Sequence, residues 1–341
     1  MADPFSTARV NRIDSRGVHS TYDSWPDLAR EGFGVNVEYS RRPVKKIYVL
    51  GMGGSASGGD IIAGWVADRE GVEMAVFKGQ LPIGDMSDSI AVACSASGQT
   101  AETIHMMETA VQRHATVMSI SGGGKLKETS ARLGVPHIDM PKVVAPRYML
   151  PFIVFSTLAV VNKGLGLGCE EEAEAAISAM ESEGREVRLS SPLPKNSAKA
   201  LALTLLHKTP TIYGARVTRG VGIRFKNVLN ENSKKHALFD GIPDAFHNEI
   251  EAWEDPSTDF LPVFLRHSSE TERDRVREDQ MVVILSKSGK SPIQVRGRGR
   301  SSLAQLLTMV YRLDLASYYV AIALGRDPFP TRLIDTLKKN T

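Results

Sequence analysis

Short apolar runs alternate with longer polar or amphipathic stretches over most of the chain. In the first half, five apolar runs predict buried strands and three stretches between them predict helices. The predicted strands are KKIYVLGMG from Lys45, EMAVF (73–77), SIAVAC (89–94), ATVMSI (115–120) and VPHID (135–139); the predicted helices cover 56–67, 100–113 and 124–133. Strands that alternate with helices indicate a parallel sheet with helices on both faces.

The same alternation returns in the second half of the chain. The predicted strands are 209–214, 236–239, 259–265 and MVVILS (281–286); the predicted helices are 197–207, 218–232, 269–279, 302–324 and a terminal helix that reaches 339. Because both halves show the same alternation of strands and helices, the sequence predicts two related α/β domains.

The remaining segments differ from these two domains. Residues 1–44 are polar and predict an irregular arm with one short helix near 24–31. Residues 151–196 combine an apolar helix, an acidic surface helix and the linker SPLPKN. We therefore expect a first domain over 45–150 and a second domain over 197–341.

Composition and charge narrow the class of protein. The 341 residues are 42% hydrophobic and 24% charged, as in ordinary soluble globular proteins, which excludes collagen-like and wholly disordered chains. A formal net charge of +3 is too small to indicate nucleic-acid binding. The basic segment 287–300 has no interleaved aromatic residues, so we expect a flexible cationic loop and no nucleic-acid partner.

Cysteine, histidine and apolar content indicate the compartment and the cofactors. Cys94 and Cys169 are the only cysteines, which favours reduced thiols in a cytoplasmic protein. The first residues lack the apolar core of a secretory signal, and the apolar stretch 148–161 is short and contains Pro151, so no membrane association is expected. The eight histidines do not cluster at metal-ligand spacing, and we expect no metal or other cofactor.

A glycine-rich loop follows the first predicted strand. The segment GMGGSASGGD (51–60) places Gly54 and Ser55 just before a predicted helix, whose N-terminal amides can bind an anion. The segment is neither a phosphate-binding loop ending in Gly-Lys-Ser/Thr nor a complete GxGxxG pattern. Taken alone, it is equally consistent with an ordinary strand-to-helix turn.

A second loop rich in hydroxyl groups follows the third predicted strand. The segment CSASGQTAET (94–103) contains Ser95, Ser97 and Thr100, again just before a helix. A helix cap is the alternative interpretation. Two such loops at the carboxyl ends of parallel strands favour a ligand site, and hydroxyl groups without a lysine suggest a phosphomonoester.

These two loops resemble the phosphate-binding motifs of the sugar isomerase (SIS) domain. The second motif departs from its usual form, because Ala96 replaces a tyrosine and Gln99 an asparagine, while the hydroxyl groups remain. The resemblance implies two tandem SIS domains, each a doubly wound parallel sheet in an αβα sandwich. It also implies that Gly54, Ser55, Ser95, Ser97 and Thr100 bind the phosphate of a sugar phosphate.

The second half is similar to the bifunctional phosphoglucose/phosphomannose isomerases. The resemblance is carried by FKNVLNENSKKHALFDGIPDAFHNEIEAWE (225–254), in which Asp244 replaces a glutamate, and by the run from residue 300 to Lys339. It implies reversible isomerisation of glucose 6-phosphate, and of mannose 6-phosphate, to fructose 6-phosphate in a homodimer. The reaction passes through a cis-enediol and needs a base, a ring-opening pair and a cation near the enediolate.

The resemblance assigns a residue to each of these tasks. Glu231 becomes the base, and we expect the amides of its two asparagine neighbours to orient it. His247, sixteen residues later, opens the sugar ring, reaching into the site of a neighbouring subunit. Lys338 is its cationic partner, with Lys339 as the alternative. Arg147 stabilises the enediolate, as suits a planar guanidinium, and Thr331 is linked to the acceptance of mannose 6-phosphate.

Two other functions remain open at this point. A non-catalytic sugar-phosphate sensor would usually carry a helix-turn-helix domain, for which the polar arm is too short. Another SIS enzyme, such as an amino-sugar phosphate isomerase or a phosphosugar lyase, would need a glutamine-hydrolysing partner domain or a different arrangement of bases.

Overall fold

A computed structural model describes residues 3–37, 44, 46–67, 69, 71–142, 144–255 and 259–340. The helices are α1 (Thr7–Ile13), α2 (Val18–Asp23), α3 (Trp25–Phe33), α4 (Gly53–Val66), α5 (Ala101–Gln112), α6 (Gly124–Leu133), α7 (Leu150–Leu165), α8 (Glu170–Val187), α9 (Ser197–Leu205), α10 (Arg219–Val228), α11 (Glu272–Lys287), α12 (Ser302–Ala323) and α13 (Arg332–Asn340). The strands are β1 (Lys46–Gly51), β2 (Glu73–Phe77), β3 (Ser89–Ser95), β4 (Thr116–Ser121), β5 (His137–Asp139), β6 (Thr209–Gly214), β7 (Leu238–Gly241), β8 (Phe260–Arg266) and β9 (Ile293–Arg296).

The strands form two parallel sheets with the same internal order. The first sheet has the order β2-β1-β3-β4-β5 and the second the order β7-β6-β8-β9. Every described pairing is parallel, with Gly51 opposite Cys94 at the end of β1 and Gly214 opposite Leu265 at the end of β6. The central strand β3 is buried along its whole length, as expected for a sheet covered on both faces. The predicted pair of doubly wound α/β units is confirmed.

One predicted strand is wrong. The apolar run 281–286 forms the second half of α11, and two of its members, Val283 and Ile284, are half exposed. The fourth strand of the second sheet is instead β9, which lies in the basic segment where we expected a flexible loop. Only Val295 of that strand is buried, so it carries almost no apolar signal.

The N-terminal arm is also more ordered than predicted. It forms α1, α2 and α3, with Val10, Tyr22 and Trp25 fully buried. Helix α3 packs mainly against α7 and also against α8. The arm is therefore part of the hydrophobic core. Lys45, the predicted start of the first domain, lies outside the described residues.

Two long apolar helices lie at the centre of the molecule. The segments Pro146–Leu165 and Ser302–Ala323 are long and apolar enough to cross a bilayer, but 83% and 94% of their most apolar windows are buried inside the fold. Helix α12 packs against α8, α9 and α10, and α7 against α3 and α4. Both are explained as core helices.

Helices α4 and α10 join the two sheets by a close backbone approach. A Cβ atom on Gly64 would lie 2.2 Å from the carbonyl oxygen of Val217, and one on Gly220 would lie 2.3 Å from that of Asp60. Only glycine permits such contacts. The packing brings the N-terminal end of α4, after the first loop, together with Arg224 in the last half of α10.

Candidate active site

The two hydroxyl-rich loops lie side by side at the carboxyl edge of the first sheet. The first loop is short, because α4 begins at Gly53 and not at residue 56 as predicted, so Gly54 and Ser55 lie in the first turn of α4; the second loop leads from β3 into α5. The hydroxyl of Ser55 accepts a hydrogen bond of 3.1 Å from the backbone N–H of Ala96, which ties the two loops together. The Ser55 hydroxyl also lies within hydrogen-bond reach of the Cys94 thiol at the end of β3.

Hydrogen bonds and a close backbone contact fix the conformation of the second loop around Gly98. The hydroxyl of Ser95 accepts from the N–H of Gly98 at 3.1 Å and donates to Thr100 Oγ1 at 3.0 Å. Ser97 is exposed and its hydroxyl accepts from the N–H of Gln99 at 3.2 Å. Gly98 has φ +64°, and a Cβ there would lie 1.7 Å from the carbonyl oxygen of Gly123. The result is a group of hydroxyl groups at the N-terminus of α5, a position that suits a phosphate.

Arg147 lies next to the first loop, on the short 3₁₀ helix Pro146–Met149 that precedes α7. A Cβ on Gly54 would lie 3.6 Å from the Cα of Arg147, so the first turn of α4 passes directly over this residue. The guanidinium is 6% exposed and donates from Nη2 to the carbonyl oxygens of Pro328 and Phe329, each at 2.6 Å. These bonds fix the guanidinium and leave Nη1 for another partner.

Glu231 supplies that partner. It lies on a single π-helical turn, Leu229–Ser233, that continues α10. Its Oε2 is 4.0 Å from Arg147 Nη1, and its side chain is 24% exposed. Single π-helical turns occur often at functional sites, because the wider turn changes the direction of a side chain. The site thus combines a reachable carboxylate, a fixed cation and a candidate phosphate cradle.

The flanking asparagines do not orient Glu231 in the way we expected. The Asn232 side chain is fully buried and accepts from Arg147 Nε at 2.9 Å. The Asn230 side chain faces the carbonyl oxygens of Lys226 and Lys235, which accept from its amide nitrogen once the amide is turned to face them, so it caps its own turn. Neither amide bonds the Glu231 carboxylate. The prediction fails because a helical turn directs adjacent side chains to different faces.

Sequence reasoning missed a buried ion pair behind the site. Arg224 donates to both carboxylate oxygens of Asp314, at 3.1 and 2.6 Å, and its Nη2 donates to the carbonyl oxygen of Arg147 at 2.7 Å. Burial raises the pKa of Asp314, while the Arg224 guanidinium opposes that shift. The pair holds the backbone of Arg147 in place. Its only sequence signal is the charged residues Arg312 and Asp314 inside the mostly apolar α12.

A second set of cations fixes the segment that leads to α13. Lys234 Nζ donates to the carbonyl oxygens of Asp327 at 2.7 Å and Asn232 at 3.1 Å. Arg326 Nη1 donates in return to the carbonyl oxygen of Ser233 at 2.7 Å. Burial of the ammonium and the nearby Arg147 charge lower the pKa of Lys234 to about 8. The two segments of chain are therefore bound to each other next to Glu231.

The remaining predicted residues make no described hydrogen bond or ion pair with Glu231 or Arg147. His247 is exposed at the end of the 3₁₀ segment Asp244–His247, and Lys338 is exposed on α13. Among the described residues, no hydrogen bond or ion pair joins either of them to Glu231 or Arg147. Thr331 precedes α13 and donates to Asp335 at 3.4 Å. The side chain of Lys339, the alternative lysine, lies outside the described part of the chain.

No group of three or more histidine, cysteine, aspartate or glutamate side chains with metal-binding geometry occurs among the described residues. Both cysteines are buried thiols. Burial raises the pKa of Cys94 to about 12 and that of Cys169 to about 11, so neither thiol ionises readily near neutral pH. The groups available for chemistry at the site are hydroxyls, one carboxylate and several cations.

Comparison with known proteins extends this description. Residues 194–340 match the family model of the bacterial phospho-glucose isomerase C-terminal SIS domain. The chain is 30% identical to a bifunctional phosphoglucose/phosphomannose isomerase of Caldicellulosiruptor bescii, over 90% of this chain and 92% of that protein. It is also 30% identical to a protein of the same description from Aquifex aeolicus, over 95% of both.

Solved structures show the same fold. A glucose-6-phosphate isomerase like protein from Thermus thermophilus superimposes with a TM-score of 0.67 at 21% identity and covers the whole of both chains. The likeness to this structure therefore extends over both sheets.

Proposed function

We propose, because the chain belongs to the family of bifunctional phosphoglucose/phosphomannose isomerases, that it reversibly converts glucose 6-phosphate and mannose 6-phosphate to fructose 6-phosphate. The observation that carries the assignment to this site is the 4.0 Å approach of Glu231 to Arg147, beside a loop that can bind phosphate. A carboxylate that faces a fixed guanidinium has the parts needed to move a proton and to meet the charge that forms.

The phosphate binds in the cradle formed by the two loops. The hydroxyls of Ser55, Ser97 and Thr100 and the N-terminal amides of α5 supply neutral donors, and buried Ser95, which donates to Thr100, holds the Thr100 hydroxyl in place. Neutral donors hold a dianion less strongly than a lysine would, which favours release of the product after each turnover. Gly54 lets the sugar end of the substrate pass close to Arg147.

Glu231 transfers the proton between C2 and C1. In the aldose-to-ketose direction the carboxylate removes the C2 proton, the electrons form the C1–C2 double bond, and the carbonyl oxygen gains the negative charge. A proton then passes from the C2 hydroxyl to the C1 oxygen, and return of the carried proton to C1, with formation of the C2 carbonyl, completes the ketose and restores the Glu231 carboxylate. The partial burial of Glu231 limits the access of water to this proton, although exchange with solvent remains expected.

Arg147 stabilises the enediolate. Its guanidinium is held from two sides before substrate arrives, so it does not need to reorganise during the reaction. Its planar donor edge matches the two adjacent oxygens of an enediolate. Glucose and mannose 6-phosphate differ only at C2, which is planar in this intermediate, so both can pass through it. Thr331 is proposed to admit the mannose epimer.

Ring opening is assigned to His247 and Lys338 in a homodimer. Both side chains are exposed in the single chain, and His247 is sixteen residues from Glu231 on a separate segment. Leu333 and Ile334 on α13 are 82% and 40% exposed, an apolar surface that a second copy would cover. We therefore propose that His247 serves the site of the neighbouring subunit. We place the enzyme in the cytoplasm, in keeping with its two reduced cysteines.

A coupled assay tests the assignment. Purified protein is incubated with glucose 6-phosphate or mannose 6-phosphate, and fructose 6-phosphate is measured as it forms. We expect turnover of both substrates and no turnover by Arg147→Met protein that retains its fold. Binding of either sugar phosphate without turnover would instead support the sensor function. Turnover of glucosamine 6-phosphate alone would support an amino-sugar enzyme.

A further inference from the structure

The Asn232 amide is the centre of a buried hydrogen-bond network that reaches from the N-terminal arm to Arg147. Its Oδ1 accepts from Arg147 Nε at 2.9 Å and from the Tyr148 hydroxyl at 3.0 Å. Its Nδ2 donates to the Ser317 hydroxyl at 2.9 Å and to the Tyr22 hydroxyl at 3.2 Å. All four hydrogen-bonding positions of the amide are used, and the residue has no exposed surface.

The two hydroxyls determine which way the amide faces. Ser317 Oγ donates its only proton to the carbonyl oxygen of Asp314 at 2.6 Å, and the Tyr22 hydroxyl lies 3.5 Å from the same carbonyl oxygen. Both oxygens therefore act as acceptors toward Asn232. Because its amino group is directed to them, its carbonyl oxygen is directed to Arg147, which can only donate.

The position of Tyr22 is itself fixed by burial, by contacts with other aromatic rings and by a backbone hydrogen bond. Its ring is fully buried and contacts the rings of Trp25, Tyr148 and Tyr318 at centroid distances of 5.0, 5.5 and 6.1 Å. Burial and the nearby Asp314 charge raise the pKa of Tyr22, so its hydroxyl stays neutral. The backbone carbonyl of Tyr22 also accepts from the Tyr311 hydroxyl at 2.5 Å.

We propose that Tyr22, acting through Asn232, is a positioning residue of the isomerase: it keeps the Arg147 guanidinium aligned with Glu231 and with the enediolate. This inference rests on the proposed function. It makes the N-terminal arm part of the catalytic apparatus, although no residue of the arm is placed in contact with the substrate. Removal of the Tyr22 hydroxyl leaves a buried N–H without an acceptor, and Ser317 alone then holds the amino group of Asn232, so the amide is less firmly fixed toward Arg147.

Tyr22→Phe tests the proposal, with Tyr318→Phe as the matched control. The control removes another buried hydroxyl that fixes the same arm, since Tyr318 donates to Asp14 at 3.0 Å and has no described hydrogen bond with Asn232. Turnover of glucose 6-phosphate is measured together with inhibition by two compounds. The hydroxamate of arabinonic acid 5-phosphate resembles the enediolate, and glucitol 6-phosphate resembles the open-chain substrate.

We expect kcat of Tyr22→Phe to fall about three- to tenfold, the equivalent of one buried hydrogen bond. The inhibition constant of the hydroxamate should rise by a similar factor. KM and the inhibition constant of glucitol 6-phosphate should stay within about twofold of wild type, because the phosphate is bound elsewhere. Tyr318→Phe should match wild type in all four quantities.

A second variant covers the case in which Tyr22→Phe does not fold. Asn232→Asp has nearly the same shape, but its carboxylate would pair with Arg147 and compete with the enediolate for its charge. We expect a larger fall in kcat and a larger loss of hydroxamate binding than in Tyr22→Phe.

Two results would overturn the inference. One is a Tyr22→Phe enzyme with wild-type kcat and hydroxamate binding. The other is an equal loss of binding for both inhibitors that Tyr318→Phe reproduces, because this would show general loosening of the arm. If wild-type protein itself turns over neither sugar phosphate, the proposed function fails, which is a separate outcome.

Discussion

Arg147 is the most firmly held charged side chain of the site. Asn232 and the carbonyl oxygens of Pro328 and Phe329 accept from its guanidinium, and Arg224 holds its backbone carbonyl. Its Nη1 is directed to Glu231. A cation fixed in this way stabilises a charge that appears at one position, which is the requirement set by an enediolate.

Gly98 provides the first test at the scale of a single residue. We expect Gly98→Ala to raise KM for sugar phosphates several-fold or more, because its Cβ would overlap the carbonyl oxygen of Gly123 and displace the second loop. Gly134→Ala is the matched control: Gly134 has nearly the same φ, +67°, but no described atom lies within 4 Å of its Cβ. The control should lose about 1 kcal/mol of stability and keep its KM.

Steady-state kinetics and thermal unfolding of the two variants separate these effects. A Gly98→Ala enzyme with wild-type KM would show that the second loop does not bind the phosphate.

Helix α11 carries a buried carboxylate with a pH-dependent effect on stability. Glu278 has no exposed surface, and within the described part of the chain neither of its oxygens has a hydrogen-bond partner, although Arg266 Nε lies 2.8 Å away. Burial and the charge of Glu270 raise the pKa of Glu278 to about 8. The folded protein therefore keeps a proton that the unfolded chain releases near its ordinary pKa of 4.5.

We expect the free energy of unfolding to fall as pH rises from about 5 to 8, since the unfolded chain binds fewer protons than the folded one in this window. Glu278→Gln cannot ionise, so part of this slope should disappear and the variant should be more stable than wild type at pH 8. Urea unfolding at several pH values measures the slope. Glu272→Gln, on the exposed first turn of the same helix, is the control. Parallel curves for wild type and Glu278→Gln would contradict the assignment.

The elements that sequence alone predicted are those with an unambiguous pattern. Strands β1 and β3 are buried apolar runs that end in glycine or serine, and their positions were predicted to within a residue or two. The run 281–286 was misassigned because a short apolar stretch fits a buried strand and a helix equally well. The six- to nine-residue helices of the arm have little stability of their own and depend on packing against α7 and α12.

The candidate active site likewise has features that the sequence predicts and features that it does not. The hydroxyl groups of the two loops follow directly from their motifs, whereas the approach of Arg147 to Glu231 was expected only from the family resemblance. The networks behind them were not predictable. Arg224 and Asp314 are 90 residues apart, and Tyr22 and Asn232 are 210 apart, so nothing local in the sequence connects them.

At the scale of the whole molecule, the proposed homodimer makes a sharp prediction. If His247 serves the neighbouring site, Glu231→Gln and His247→Ala subunits should complement each other when mixed and refolded or co-expressed. Random mixing should restore about a quarter of wild-type turnover, because half of the dimers are mixed and each of these has one intact site. Each variant alone should be nearly inactive.

The control is a mixture of Glu231→Gln with Arg147→Met, which alter the same site within one subunit. This mixture should give no more turnover than its components if Arg147 and Glu231 act in the same subunit and His247 acts across the interface. Equal failure of both mixtures would place His247 in its own subunit's site or outside the mechanism.

The most direct test of the whole account is exchange of the C2 proton of glucose 6-phosphate with solvent deuterium, followed by NMR. Wild-type protein should catalyse exchange at C2 together with formation of fructose 6-phosphate. Glu231→Gln keeps the size of the side chain and removes its basicity, so exchange should fall by at least about 10²-fold, the lower range for loss of a general base. Exchange at the wild-type rate in Glu231→Gln would contradict the assignment of the base, and a wild-type protein that shows neither exchange nor formation of fructose 6-phosphate would contradict the isomerase itself.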